Sequence, residues 1–187
     1  MTNIFGRQLV AYAEYHQDWR NCATHVIGIP ILFLAAVLPL SSLSVTAFGI
    51  QTSAATLLVM PALILWIILD VAIGLAIVGA AMPLLSAAAM IASHVSIAGV
   101  WIITAGLIII GWTSQIVGHA FFEHRRPALL DNPIHMLIGP MFIVAKLFIA
   151  LGFRRDLAAV LHNPSQHMFR GSRLDPSEGR ADLDQRL

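Results

Sequence analysis

Charge is what this sequence has least of. Charged residues make up 11% of the chain, against roughly a quarter in an ordinary soluble domain. Between Asn21 and Phe122 the only formally charged side chain is Asp70. A water-soluble fold does not keep so long a stretch free of ions, whereas a bilayer favours it, so membrane helices are the natural reading. Cysteine is nearly absent as well. Cys22 stands alone, which excludes an internal disulfide and says nothing of the redox compartment. The net charge of +1 gives no reason to expect a nucleic-acid partner. No signal peptide is expected, because Arg7, Glu14, Asp18 and Arg20 fall in the N-terminal segment and no apolar core precedes them. The HxxxH and HxxHH boxes of membrane desaturases are missing, and no internal repeat stands out.

What is present is a series of apolar runs. Residues 26–43 are long enough to cross. Residues 44–53 carry Gly49, Gln51 and several hydroxyls and read as a turn. Residues 54–92 are too long for one crossing and fit two, divided at Asp70 because an acid is costly at mid-bilayer and cheap at its edge. Pro83 is expected to kink the third span or bend its end. Ser93 and His94 make a short polar turn, and residues 95–117 form a fourth span. Residues 133–151 are a fifth apolar stretch with Lys146 inside it. The predicted class is all-α: a polytopic membrane bundle of about four transmembrane helices, an N-terminal interfacial helix and a re-entrant or interfacial fifth helix. Residues 1–160 form one membrane-embedded domain, and residues 161–187 a polar tail expected to be disordered.

Arg and Lys set the expected sidedness. They occur at Arg7 and Arg20, at Arg125 and Arg126, at Lys146 and from Arg154 onward, and the turns at 44–53 and 93–95 have none. Four crossings bring the two basic segments to one side, the cytoplasm. A full fifth crossing would export Arg154 and Arg155, so residues 133–151 are expected to turn back, with Pro133, Gly139 and Pro140 as breaks and Lys146 snorkelling to the same face. In the N-terminal segment Phe5, Leu9, Tyr12 and His16 recur at helical spacing and line one face. Amphipathic anchoring would account for that stripe, except for its ending in His16.

The chain has eight histidines. His16 and His25 flank the start of the first span. His119 and Glu123 follow the fourth, at positions i and i+4, where both could reach one metal ion. His124 points elsewhere, and His135 follows a Pro-containing turn that could fold it back. These all fall on the expected cytoplasmic face, and His94 on the other. Interfacial hydrogen bonding competes with ligation for each histidine. Glu123 could instead pair with Arg126 at i+3. Arg125 and Arg126 also suit lipid headgroups, Asp131 and Asn132 a helix cap, and Asp70 either a turn or a partner to a ligating imidazole. A histidine set with one carboxylate is what non-heme Fe(II) uses, and zinc would accept the same atoms.

YHQDWRNCATHVIGIP (15–30) and GWTSQIVGHAFFEHRRPALLDNPIHMLIGPMFIVAK (111–146) resemble the two signature blocks of the 2-hydroxy fatty acid dioxygenase family, which has endoplasmic-reticulum and bacterial members. The likeness runs from about Tyr12 to Phe153, and its most specific element is GHxxFExxRPALxDN. It implies an Fe(II)-dependent enzyme that cleaves a 2-hydroxy fatty acid with O2 to the acid one carbon shorter, in the bacterial inner membrane or the endoplasmic reticulum. By motif position it implies His16, His25 and His119 as metal ligands, with Glu123 and more weakly His135 beside them. Glu123 and Arg126 are the catalytic candidates. Arg20, Arg126 and Asn132 are the candidates for holding the substrate. Lys146 departs from the acidic residue expected after the PxFxxA segment. The competing readings are a heme-binding electron carrier and a non-catalytic lipid-binding protein.

Overall fold

The computed structural model describes residues 3–47, 49–124, 134–154, 157–158 and 161. Six α-helices account for most of them: α1 (Asn3–Ala13), α2 (Trp19–Ser41), α3 (Ala54–Leu69), α4 (Val71–His94), α5 (Ile97–Val117) and α6 (His135–Ala150). A π-helical turn, Gly118–Glu123, extends α5, and a two-stranded hairpin, β1 (Ser44–Ala47) with β2 (Ile50–Ser53), joins α2 to α3. The helix starts are written in the sequence. Asp18, Ser53, Asp70 and Ser96 each lend a side-chain oxygen to a free N–H at the start of α2, α3, α4 and α5. Asp18 starts α2 seven residues before the apolar run begins, which places His25 inside the helix.

Three helices are long and apolar enough to cross a membrane: Trp19–Ser41, Val71–His94 and Ile97–Glu123. The break at Asp70 lies where it was expected, and α4 runs through Pro83 as one helix. α3 has 16 residues, or about 24 Å of helix, which is short of the roughly 30 Å of a hydrocarbon core. The hairpin takes up residues that the sequence pattern assigns to a turn. Of the pattern's four spans, three are long helices and the one over 54–69 is short.

α2 and α5 form the main seam. Small residues make it close: a Cβ at Gly28 would press on Gln115, one at Gly111 on Leu32, and one at Gly118 on the Thr24 hydroxyl and the Asn21 amide. α3 and α4 meet as closely, since a Cβ at Gly74 would lie 2.5 Å from the Ile67 Cα. The chain therefore runs down α2, back along α3, down α4 and back along α5. The start of α2, the Asp70 break and the end of α5 share one end of the bundle. The hairpin and His94 share the other.

α1 and α6 pack against each other at the first of these ends. Anchoring in lipid does not explain the α1 stripe. Phe5, Leu9, Tyr12 and His16 are all buried inside the protein, and Tyr12 and His16 meet Phe142 of α6. α6 is continuous through Gly139 and Pro140, so no break occurs there. It is tied near both its ends to one turn of chain. Trp66 Nε1 donates to the Leu137 carbonyl at 2.8 Å, and Arg154 grips Asp70 through both guanidinium nitrogens at 3.0–3.2 Å. Trp66 and Asp70 are one helical turn apart, so α6 lies across the end of the bundle and does not traverse it. Asp70 thus serves as a turn acid with a partner 84 residues away. Burial works against its charge, but the Arg154 guanidinium and the Ile73 N–H outweigh burial and hold its carboxyl below the usual value. The proposed tail begins at the edge of the described residues.

Candidate metal centre

Three segments bring one imidazole each to the same place. His16 ends the α1 stripe, His25 lies two turns into α2, and His119 opens the π-helical turn. All three are buried. One nitrogen from each lies within 4.8 Å of the others. The rings meet edge to face, with centroids 4.6–5.0 Å apart.

The hydrogen bonds fix which nitrogens are free. His16 Nδ1 is 3.0 Å from the Tyr12 carbonyl, and His25 Nδ1 is 2.9 Å from the Asn21 carbonyl. A carbonyl only accepts, so each Nδ1 carries the proton and each Nε2 presents a lone pair. Those two Nε2 atoms face each other at 3.1 Å. Two neutral acceptors at that distance repel unless something positive lies between or beside them. The separation is less than twice the roughly 2.0–2.1 Å of a nitrogen–metal bond, so one ion could contact both. His119 Nδ1 is buried with no hydrogen-bond partner among the described residues, as befits a ligand nitrogen and not a structural one. Burial, and then the neighbouring His25, push the His16 pKa down to about 2, so this ring is neutral at physiological pH and its lone pair is available.

The surrounding shell holds these rings. Tyr12 stacks on His16 at 4.1 Å with planes 9° apart, and burial raises its phenol above the ordinary value. Asn21 is fully buried. Its carbonyl orients His25, and its amide donates to Glu123 Oε1 at 3.2 Å. The Asp18 backbone N–H donates to the same oxygen at 2.8 Å. Glu123 thus clips the π-helical turn to the start of α2 and lies outside the three-nitrogen group. A π-turn widens the backbone, and such turns recur at functional sites. Gly118 lets this one sit against Thr24 and Asn21.

The other candidates lie apart from the cluster. His135 is buried but packs against Tyr12 and Tyr15, with ring centroids 5.5 and 6.0 Å away. His124 is exposed in a left-handed conformation, φ 52°, with Nδ1 on the Ala120 carbonyl. His94 lies before α5, a whole helix from His119. Arg20 is exposed; its Nε is 3.5 Å from Asp18, and its guanidinium lies over Phe122. Arg125, Arg126, Asp131 and Asn132 fall outside the described residues. The sequence placed Tyr12 only on the N-terminal stripe and gave Asn21 no role, although each lies four residues before a buried histidine, where its carbonyl reaches the ring.

Fold and site define a class: an all-helical membrane bundle whose buried three-histidine group could hold a metal ion. The family follows from comparison. The family model described as "2-hydroxy-palmitic acid dioxygenase Mpo1-like" matches residues 2–151, and the chain belongs to that Mpo1-like family. It is also similar to the 2-hydroxy-palmitic acid dioxygenase MPO1 of Saccharomyces cerevisiae, with 48% identity over 59 residues, 31% of this chain and 34% of that protein. The match therefore spans about a third of that relative's length. No solved structure matches.

Proposed function

We propose that this chain is an iron(II)-dependent dioxygenase that cleaves 2-hydroxy fatty acids. A 2-hydroxy acid and O2 give the acid one carbon shorter, carbon dioxide and water. The observation that carries the reading is the pair of bare Nε2 atoms 3.1 Å apart, with His119 beside them, in a family of this description.

His16, His25 and His119 are the residues that would hold the metal. Iron bound there would supply oxygen activation next to the 2-hydroxy acid. The protein's own part is to orient and to exclude water. The Tyr12 and Asn21 carbonyls fix the tautomers of His16 and His25. Glu123 positions the turn that carries His119. Phe142 and Tyr12 keep the cluster dry. Apolar helix faces offer an acyl chain about 0.8 kcal/mol per buried CH2. Arg126 and Asn132 remain candidates for the substrate head. The protein is multi-pass in this reading, and Arg7, Arg20 and Arg154 at the site's end of the bundle favour the cytoplasm for that end. The rings lie too close for a macrocycle to enter between them, which weighs against heme.

The test is metal analysis of the purified protein together with oxygen consumption. Stoichiometric iron and O2 uptake with 2-hydroxypalmitate, but not with palmitate, are expected. Equal turnover of the two acids would refute a role for the 2-hydroxyl. A metal-free protein with no O2 uptake would support the lipid-binding alternative.

A further inference from the structure

The cluster contains no carboxylate. Three neutral imidazoles around a divalent cation would leave a double positive charge in a buried pocket, and such a charge is costly unless an anion joins it. The remaining charged side chains at this end are mostly engaged elsewhere. Glu123 is held by Asp18 and Asn21, Arg154 by Asp70, and Arg20 is exposed beside Asp18.

Lys146 differs from them. It lies on α6, one turn after Phe142, and its ammonium is 5.3 Å from the Phe142 ring centroid. Phe142 in turn packs 5.5 Å from His16. Among the described residues Lys146 makes no ion pair with a carboxylate. A half-buried cation against an aromatic face, beside a metal-type cluster without an anion, is suited to a negative partner.

We infer that Lys146 anchors the substrate's carboxylate, its ammonium taking one carboxylate oxygen of a long-chain acid whose head lies at the His16–His25–His119 cluster. The site then selects acids over neutral amphiphiles of the same length. The choice of a 2-hydroxy acid as ligand rests on the proposed function. The anchoring of a carboxylate by Lys146 can be tested apart from it.

The experiment compares binding of 2-hydroxypalmitate and 1,2-hexadecanediol, which replaces the carboxylate with a neutral CH2OH. Affinities are measured calorimetrically on the full chain in detergent, without O2 so that nothing turns over. Wild type is expected to prefer the acid by at least about tenfold, the worth of a charge-assisted hydrogen bond. K146M should weaken acid binding about 10- to 100-fold, leave diol binding within about twofold and keep the metal content. K146R should restore most of the preference. Equal wild-type binding of acid and diol would overturn the inference, and this holds even if K146M does not fold. So would a K146M protein that keeps the preference, or an R20A protein that alone loses it. If acid preference depends on Lys146 and yet no O2 is consumed, the dioxygenase reading fails and the anchor stands. If O2 consumption proceeds with an unchanged KM in K146M, the anchor fails and the dioxygenase reading stands.

Discussion

Substituting alanine for glycine inside a helix normally stabilises it by about 1 kcal/mol. That gain is the expectation at Gly79 and Gly106, where an added Cβ meets nothing within 4 Å. Gly118 should behave oppositely. Its Cβ would overlap the Thr24 hydroxyl, which donates to the Asn21 carbonyl at 2.7 Å, and the Asn21 side chain, which donates to Glu123 at 3.2 Å. Neither group can yield without giving up its bond. Overpacking costs about 1–3 kcal/mol and each lost bond about 1 kcal/mol, so after the helical gain a net loss of about 1–3 kcal/mol is expected. For a chain of this size each kcal/mol moves Tm by about 2–4 °C. G118A should therefore melt roughly 2–12 °C below wild type in detergent, and G79A and G106A slightly above it. G74A sets the lower bound, because its Cβ would meet the Ile67 and Trp66 backbone. G118A should also lose metal, since Asn21 holds His25 and the turn carries His119. T24A should partly rescue it. A G118A protein that melts with G79A and keeps its metal would refute the account of the α2–α5 seam.

Other outcomes follow from the same geometry. H119A should abolish metal binding as measured by elemental analysis, while H94A, at the far end of the bundle, should retain wild-type content. In metal-free protein His16 is neutral when folded, with a pKa near 2 against 6.5 unfolded. The unfolded chain therefore binds the extra proton, and the stability His16 contributes is present above pH 6.5 and declines as pH falls through the window down to about 2. Tm measured from pH 7.5 to pH 5 should fall less in H16F than in wild type. D70N should release Arg154 and cost about 3–5 kcal/mol, as breaking a buried ion pair does; a Tm within a degree of wild type would contradict that. Cysteines placed at Arg7 and Thr52 should label from opposite sides of the membrane, and labelling from one side would overturn the order in which the helices run.

Helix class could be read from composition, and sidedness placed several histidines on one face, but singling out His16, His25 and His119 rested on the motif resemblance. A charge-free stretch declares lipid, and chain parity brings two distant segments to one face. The division at Asp70 was legible for the same reason. The inward face of α1 was not: a Phe5–Leu9–Tyr12 stripe looks the same whether it meets lipid or protein, and only the placement of α6 decides. The Asp70–Arg154 clamp was hidden by separation along the chain. Glu123 could be seen as poised near His119, but its bonds to Asp18 and Asn21 depend on a π-turn that no periodicity announces. The shortness of α3 was already set by a run that starts at Ala54 and breaks at Asp70, whereas the hairpin over 44–53 was read only as a turn.

The clip between Asn21 and Glu123 joins residues 102 positions apart, and it has a consequence for the order of events as the chain is made. His16 and His25 leave the ribosome early, but the third imidazole arrives only with the end of α5, after the long helices have been synthesised. The cover over His16 comes later still, with Phe142 on α6. A metal ion held by this group would therefore find its full set of nitrogens only once the bundle is nearly assembled. Any loading of a metal would then be a late act of biogenesis, and a chain stalled before α5 would carry only two of the three histidines.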